Sequence, residues 1–145
     1  PAGTALVLFV LLLTWGTDIG GYVFGRAFGR RKLMPLVSPG KTVAGAIGGL
    51  AVGVVISVAY ALFVLPPLAR LTLPVWGAML FGVTVSAAGQ VGDLVESMLK
   101  REAGVKDSSN LIPGHGGALD RVDSLLFTLP FGVLLLERLL VAAPR

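Results

Sequence analysis

The chain has 145 residues, 54% hydrophobic and 14% charged, with a formal net charge of +4, one histidine and no cysteine. A mean hydropathy of +0.85 sets it apart from soluble domains, and several apolar runs approach or exceed the ~20 residues a helix needs to cross a bilayer core. Disulfides and thiolate metal sites are excluded, and nucleic acid is not the expected partner, because the bases sit in short loops between apolar runs, as membrane topology alone requires. The runs show no β-barrel alternation. The expected fold is therefore all-α, a polytopic transmembrane helix bundle of about four spans that satisfies its own backbone in lipid, with residues 1–145 as one membrane-embedded domain.

The first segment runs from about Ala2 to Tyr22 or beyond. It is dense in leucine and valine as far as Trp15 and then rich in glycine, where a break in the helix is allowed. It lacks the basic leader and small-residue cleavage site of a signal peptide. Asp18 lies inside it, where an ionisable group must face protein, water or a metal. The choice is between a structural pair with a nearby arginine and a wall of a polar site. Gly21, Gly25 and Gly29 repeat every fourth residue, as do Gly45, Gly49 and Gly53. Such rows let membrane helices approach closely, and packing within the chain is a simpler use for them than a dimer seam.

Arg26, Arg30, Arg31, Lys32 and Lys41 crowd the next stretch, the most basic of the chain. Three roles fit it: contact with anionic headgroups, contact with a phosphate substrate, or marking of the cytoplasmic side. Gly40-Lys41-Thr42 resembles the end of a phosphate-binding P-loop, but Pro35 stands where that motif needs glycine and no buried strand precedes it. The second segment, Val43 to Leu65, carries no charge and ends at Pro66-Pro67. After Arg70 a third segment spans about Leu73 to Gly92, with Gln90 one turn before Asp93. A fourth runs from near Asp123 to about Ala143, with Pro130 expected to kink it and Glu137-Arg138 as an interfacial charged pair.

Between the last two segments lies a polar block, Ser97 to Ser124. With Asp93 and Glu96 it holds six of the eight acids, the single histidine and four of the twelve bases. Asp93, Glu96, Ser97 and Lys100 fall at helical spacing and share one face. Asp120 and Asp123 lie one turn apart at a helix start, and Pro113-Gly114-His115-Gly116-Gly117, between the two acidic faces, suits close backbone approach to a ligand. Mg²⁺ takes carboxylate oxygens, usually with substrate phosphates completing the shell, so Asp93, Asp120 and Asp123 form a candidate metal site. Lys100, Arg101, Lys106 and Arg121 are placed to neutralise phosphates around it. This is equipment for phosphoryl or nucleotidyl transfer, in which positioning and charge stabilisation dominate.

Ser97, Lys100-Arg101, Lys106-Asp107, Pro113-Gly114, His115-Gly116-Gly117 and Asp120-Arg121-x-Asp123 together resemble the signature of the phosphatidate cytidylyltransferases, or CDP-diacylglycerol synthases. Upstream, Thr17-Asp18, Gly25-Arg26, Ser38-Pro39, Lys41-Thr42 and Gly45 resemble the same family, so the likeness covers most of the chain. It implies transfer of CMP from CTP to phosphatidate, giving CDP-diacylglycerol and pyrophosphate in the inner membrane, with Mg²⁺ and room for a second metal ion. It favours Asp18 as a wall of the site and makes a homodimer plausible. Catalytic roles would fall to Asp93, Lys100, Arg101, His115, Asp120, Arg121 and Asp123. Substrate contacts would fall to Arg26, Ser38, Lys41, Thr42, Glu96, Ser97, Lys106, Asp107, Gly116 and Gly117. His115 fits a phosphate donor, an orienting group or a loop hydrogen bond, and Glu96 fits a metal ligand, a cytidine contact or a partner for Arg101. Family members are roughly twice this length, so the chain is expected to correspond to a C-terminal portion.

Three other functions match the sequence less well. A CTP-dependent polyprenol or phytol kinase would not need the complete Lys-Arg to Asp-Arg-x-Asp block, and a non-catalytic bundle binding nucleotide or anionic lipid would not need to keep every signature charge. The Asp-Gly-x-x-Ala-Arg core of CDP-alcohol phosphotransferases is missing. Nine bases lie on the side of the polar block against three on the other, which predicts that the block faces the cytoplasm and both chain ends the opposite side.

Overall fold

The computed structural model describes residues 2–105 and 119–142, with side chains for 2–105 and 124–140. The charge-free segment forms α2 (Val43–Phe63), 21 residues long, which at 1.5 Å per residue rises about 31 Å, the thickness of a bilayer's hydrocarbon core. Thr42 caps it, its hydroxyl accepting from the Gly45 amide at 3.1 Å. α1 (Ala2–Phe28) and α4 (Val75–Glu102) are longer, at 27 and 28 residues. α1 runs unbroken through its glycines, where a break had been allowed, and Arg26 falls in its last turn.

α1, α2 and α4 are long and apolar enough to cross a membrane, and the chain is an integral membrane protein. The fourth long helix, α5 (Leu119–Leu139), begins four residues earlier than the sequence suggests and continues through Pro130. Its charges, Asp120, Arg121 and Asp123 at one end and Glu137 and Arg138 at the other, leave only residues 124–136 uncharged. Pro66 and Pro67 start a one-turn helix, α3 (Leu65–Ala69), rather than simply ending α2, and Arg70 closes it in the left-handed region at φ 56°.

Two short antiparallel ribbons complete the fold. β1 (Lys32–Met34) pairs with β2 (Ser38–Thr42), Lys32 opposite Thr42 and Met34 opposite Ser38, so the basic stretch read as a loop is a hairpin. β3 (Leu71–Thr72) pairs with β4 (Val141–Ala142) at the other end of the bundle.

α2 lies antiparallel to both α1 and α4, and α5 packs along α4. Lipid tails are as apolar as leucine, so the association must come from close packing and interhelical hydrogen bonds. Both are present. Phe9 stacks on Tyr60 at 4.6 Å and meets Phe81 at 4.7 Å, and the Tyr60 hydroxyl donates to the Ala5 carbonyl at 2.7 Å. Nearer the centre, the Thr17 and Ser86 hydroxyls pair at 2.8 Å, Thr14 donates to Thr128 at 3.2 Å and Ser57 to the Ala78 carbonyl at 2.6 Å. Gln90 donates to the Ala46 carbonyl at 3.0 Å. Each such bond in a membrane contributes roughly 0.6 kcal/mol.

The two glycine rows face each other within the chain, as expected. A Cβ at Gly45 would lie 2.6 Å from the Gly21 carbonyl oxygen and 3.2 Å from the Gly25 Cα. Backbone cannot yield as a flexible side chain can. Gly45→Ala should therefore destabilise the chain by about 1–3 kcal/mol, read as a lower unfolding midpoint in detergent. Gly3→Ala, which meets nothing within 4 Å, should leave the midpoint unchanged.

Candidate functional site

Because α4 starts level with the far end of α2, its surplus length emerges at the other end, beyond Thr42. Lys41 and Asp93 meet there, Nζ to Oδ2 2.5 Å, with side chains 26% and 33% exposed. The pair sits at the N-terminal end of α2 and joins two positions 52 residues apart in sequence.

Below it opens a cavity of about 590 Å³ between α1, α2, α4 and the β1–β2 hairpin. Gly21, Gly25 and Gly29 of α1 line it, as do Gly45 and Ala46 of α2. Polar side chains line the rest: Asp18, Tyr22 and Arg26 from α1, Lys32 and Lys41 from the hairpin, Gln90 and Asp93 from α4. Asp18 lies seven residues down from Gly25, which packs on the Thr42 cap, or about 10 Å deeper. It is exposed to the cavity, as an intramembrane carboxylate must be to protein or water.

Of the expected substrate contacts, Arg26, Lys41 and Thr42 line this cavity, and Arg26 donates to the Tyr22 hydroxyl at 2.9 Å. Ser38, partly buried, is on β2 of the same hairpin. The shared face of Asp93, Glu96, Ser97 and Lys100 splits in use. Asp93 reaches across to Lys41, whereas Glu96, 7% exposed, pairs along its own helix with Lys100 at 2.9 Å. Ser97 is partly buried beside them. Arg101 turns to the hairpin, its Nε donating to the Val37 carbonyl at 3.4 Å, so the Glu96 side chain finds its ion-pair partner in Lys100.

Lys106, Asp107, His115, Gly116 and Gly117 lie outside the described residues, as do the side chains of Asp120, Arg121 and Asp123. The backbone still orders the latter. Gly92 of α4 packs on Phe127, and Gly89 on Thr128, so the antiparallel register carries the first turn of α5 alongside the last turns of α4. Among the described residues no three acids or histidines cluster closely enough to hold a metal. Hard oxygen donors are nevertheless the donor type Mg²⁺ takes, with few protein ligands and the rest supplied by water and phosphate, and Asp93 at the cavity mouth is such a donor.

Sequence reasoning passed over Tyr22, Lys32 and Gln90 as site residues. Tyr22 could have been found from Arg26, four residues on and hence on the same helix face. Gln90 was visible one turn before Asp93. Lys32 gave no sign of its role, because it was one base among five.

The Lys41–Asp93 pair should couple measurably. Asp93→Asn and Lys41→Gln should each lower the unfolding midpoint, while the double variant loses less than the sum, with a coupling of about 1 kcal/mol at low salt. Additive losses would show that the two charges act independently.

Comparisons with known proteins give the chain's relatives. The chain is 45% identical over 136 residues to a phosphatidate cytidylyltransferase of Staphylococcus haemolyticus, covering 93% of this chain and 50% of the relative. To the enzyme of that name from Haemophilus influenzae it is 50% identical over 133 residues, covering 89% and 44%. The chain thus spans about half the length of these relatives. A solved structure of an intramembrane enzyme for archaeal membrane lipids biosynthesis superposes with a TM-score of 0.57 at 21% identity, over 86% of this chain and 77% of the other; that likeness concerns the fold. Residues 1–139 match the sequence model of the Cytidylyltransferase family, and the chain belongs to that family.

Proposed function

We propose that the chain carries the site that transfers CMP from CTP to phosphatidate, with the polar end of the bundle facing the cytoplasm. The observation that carries this reading is the cavity at the membrane edge, lined by cations and acids, in a chain 45–50% identical to phosphatidate cytidylyltransferases. A phosphatidate oxygen forms the new bond to the α-phosphorus, the bond to the β-phosphate oxygen breaks, and pyrophosphate leaves.

A phosphate monoester is largely ionised near neutral pH, so the attacking oxygen needs no strong general base. The difficulty is bringing two anions together. Arg26, Lys32 and Lys41 in the cavity wall, with Lys100, Arg101 and Arg121 beyond it, would hold the phosphates and offset their repulsion. Asp93, Asp120 and Asp123 would hold Mg²⁺, whose charge stabilises the developing pyrophosphate. Nine bases against three support the cytoplasmic orientation, which matches the side on which CTP is available.

The test is transfer of label from cytidine-labelled CTP into lipid by the purified chain in detergent, with and without Mg²⁺. The expected result is labelled lipid that requires Mg²⁺ and is lost, at least 100-fold, in Asp120→Asn and in Asp123→Asn, with folding retained. Near-normal turnover in both variants would remove the metal-site assignment. Transfer of the γ-phosphate instead would make the chain a lipid kinase, and CTP binding by folded chain without transfer would make it a binding bundle. Lys41→Ala should lower turnover, though less than Asp93→Asn, which removes a proposed metal ligand as well as half of the pair; an unchanged rate would confine Lys41 to topology.

A further inference from the structure

We infer that Tyr22 is a positioning residue for a substrate phosphate: its hydroxyl holds the Arg26 guanidinium at the cavity without neutralising it, and Arg26 takes the phosphoryl group. The inference rests on the cytidylyl-transfer reading of this cavity and adds to it a residue that acts through another.

The cations at this end of the bundle are not equivalent. Lys41 is paired with Asp93, and Lys100 with Glu96, so each already faces an anion. Arg26 is held differently. Its Nη1 donates to the Tyr22 hydroxyl at 2.9 Å, and among the described residues no carboxylate pairs with it. A phenol that accepts this bond fixes the direction of the guanidinium but leaves its charge uncompensated. The remaining N–H groups form a rigid fork that matches the oxygens of a phosphate.

Packing of α1 places the pair. Gly21, Gly25 and Gly29 lie against Gly45 and the Thr42 cap of α2. Tyr22 and Arg26 each follow one of these glycines and so stand roughly 100° round the helix from it, beside the α1–α2 seam and not in it. They are one turn apart on a shared face, and both line the cavity. Tyr22 is also 65% exposed, as are its neighbours Ile19 at 64% and Val23 at 52%, on a helix long and apolar enough to cross a membrane. The pair therefore borders the cavity on one side and an apolar helix face on the other. A lipid substrate needs that boundary, with its phosphate in the cavity and its acyl chains along apolar surface. The lipid's phosphate fits better than those of CTP, the other source of the same chemistry. A guanidinium in the last turn of α1 also suits the negative end of the helix dipole, but that role needs no tyrosine and shows in stability, not in selective binding.

Equilibrium binding to the purified chain in detergent tests this without turnover, using short-chain phosphatidate, diacylglycerol with the same acyl chains, and CTP. Tyr22→Phe removes the hydroxyl alone. It should weaken phosphatidate binding about tenfold and leave diacylglycerol binding and the unfolding midpoint unchanged. In an Arg26→Gln chain it should cost nothing further, because the tyrosine acts through the arginine. A loss for CTP in place of phosphatidate would keep the pair as a phosphate-holding device and assign it to the nucleotide. Unchanged affinities for both would overturn the inference while leaving cytidylyl transfer intact. An equal loss for diacylglycerol, or additive losses in the double variant, would overturn it too. Tyrosine-dependent phosphatidate binding by a chain that transfers no CMP would support the phosphate site and remove the transfer reading alone. Failure of the unmodified chain to bind phosphatidate or CTP would overturn both together.

Discussion

A carboxylate inside the hydrocarbon layer has to be surrounded by protein or water, and Asp18 imposes that requirement some 10 Å below the membrane edge. The bundle meets it by staying open on one side of α1. Gly21, Gly25 and Gly29 keep that wall free of side chains. The cavity thus gives the acid polar surroundings before any substrate is considered.

The opposite half answers the converse problem. Away from the cavity the helices are tied by the Phe9, Tyr60 and Phe81 rings and by the Thr14–Thr128 hydroxyl pair, and in the cavity wall by the Thr17–Ser86 pair. These bonds are individually small but lie at successive depths, so they fix the axial register of α1 against α4 and α5. Register matters because Lys41 and Asp93 are brought together only if α2 and α4 keep the axial alignment that the Ser57–Ala78 and Gln90–Ala46 bonds hold. One residue of slip would move Asp93 about 1.5 Å along the axis and turn it by roughly 100°, away from the lysine.

Much of this was legible from sequence, and the limits have physical causes. Val43–Phe63 announced itself because a charge-free run of bilayer length has no soluble alternative. The helical spacing of Asp93, Glu96, Ser97 and Lys100 was correct, but spacing cannot say which neighbour each would choose. The partner of Asp93 lies on another helix, while that of Glu96 is one turn away. The β1–β2 hairpin was hidden because Ser38-Pro39-Gly40 carries turn residues, and its pairing is set by α1 and α2 holding its ends close together. The glycines of α1 weaken a helix in water, but in lipid an unbonded backbone costs far more than glycine's flexibility, and the helix runs through them.

The position of the Lys41–Asp93 pair also bears on the reaction. One substrate of the proposed transfer is a lipid whose phosphate cannot leave the headgroup layer without dragging its acyl chains into water. The other is a polyanion that cannot enter hydrocarbon unaccompanied. Their phosphates can meet at one depth only, the edge of the apolar layer, and that is where α2 ends and its capping Thr42 begins. Charges supplied there by the hairpin and by the overshoot of α4 are in water's reach on one side and lipid's on the other. Had α4 ended level with α2, Lys100 and Arg101 would have no helix to stand on, and the hairpin would lose its bond from Arg101. The unequal helix lengths are thus as much a part of the site as the side chains they carry.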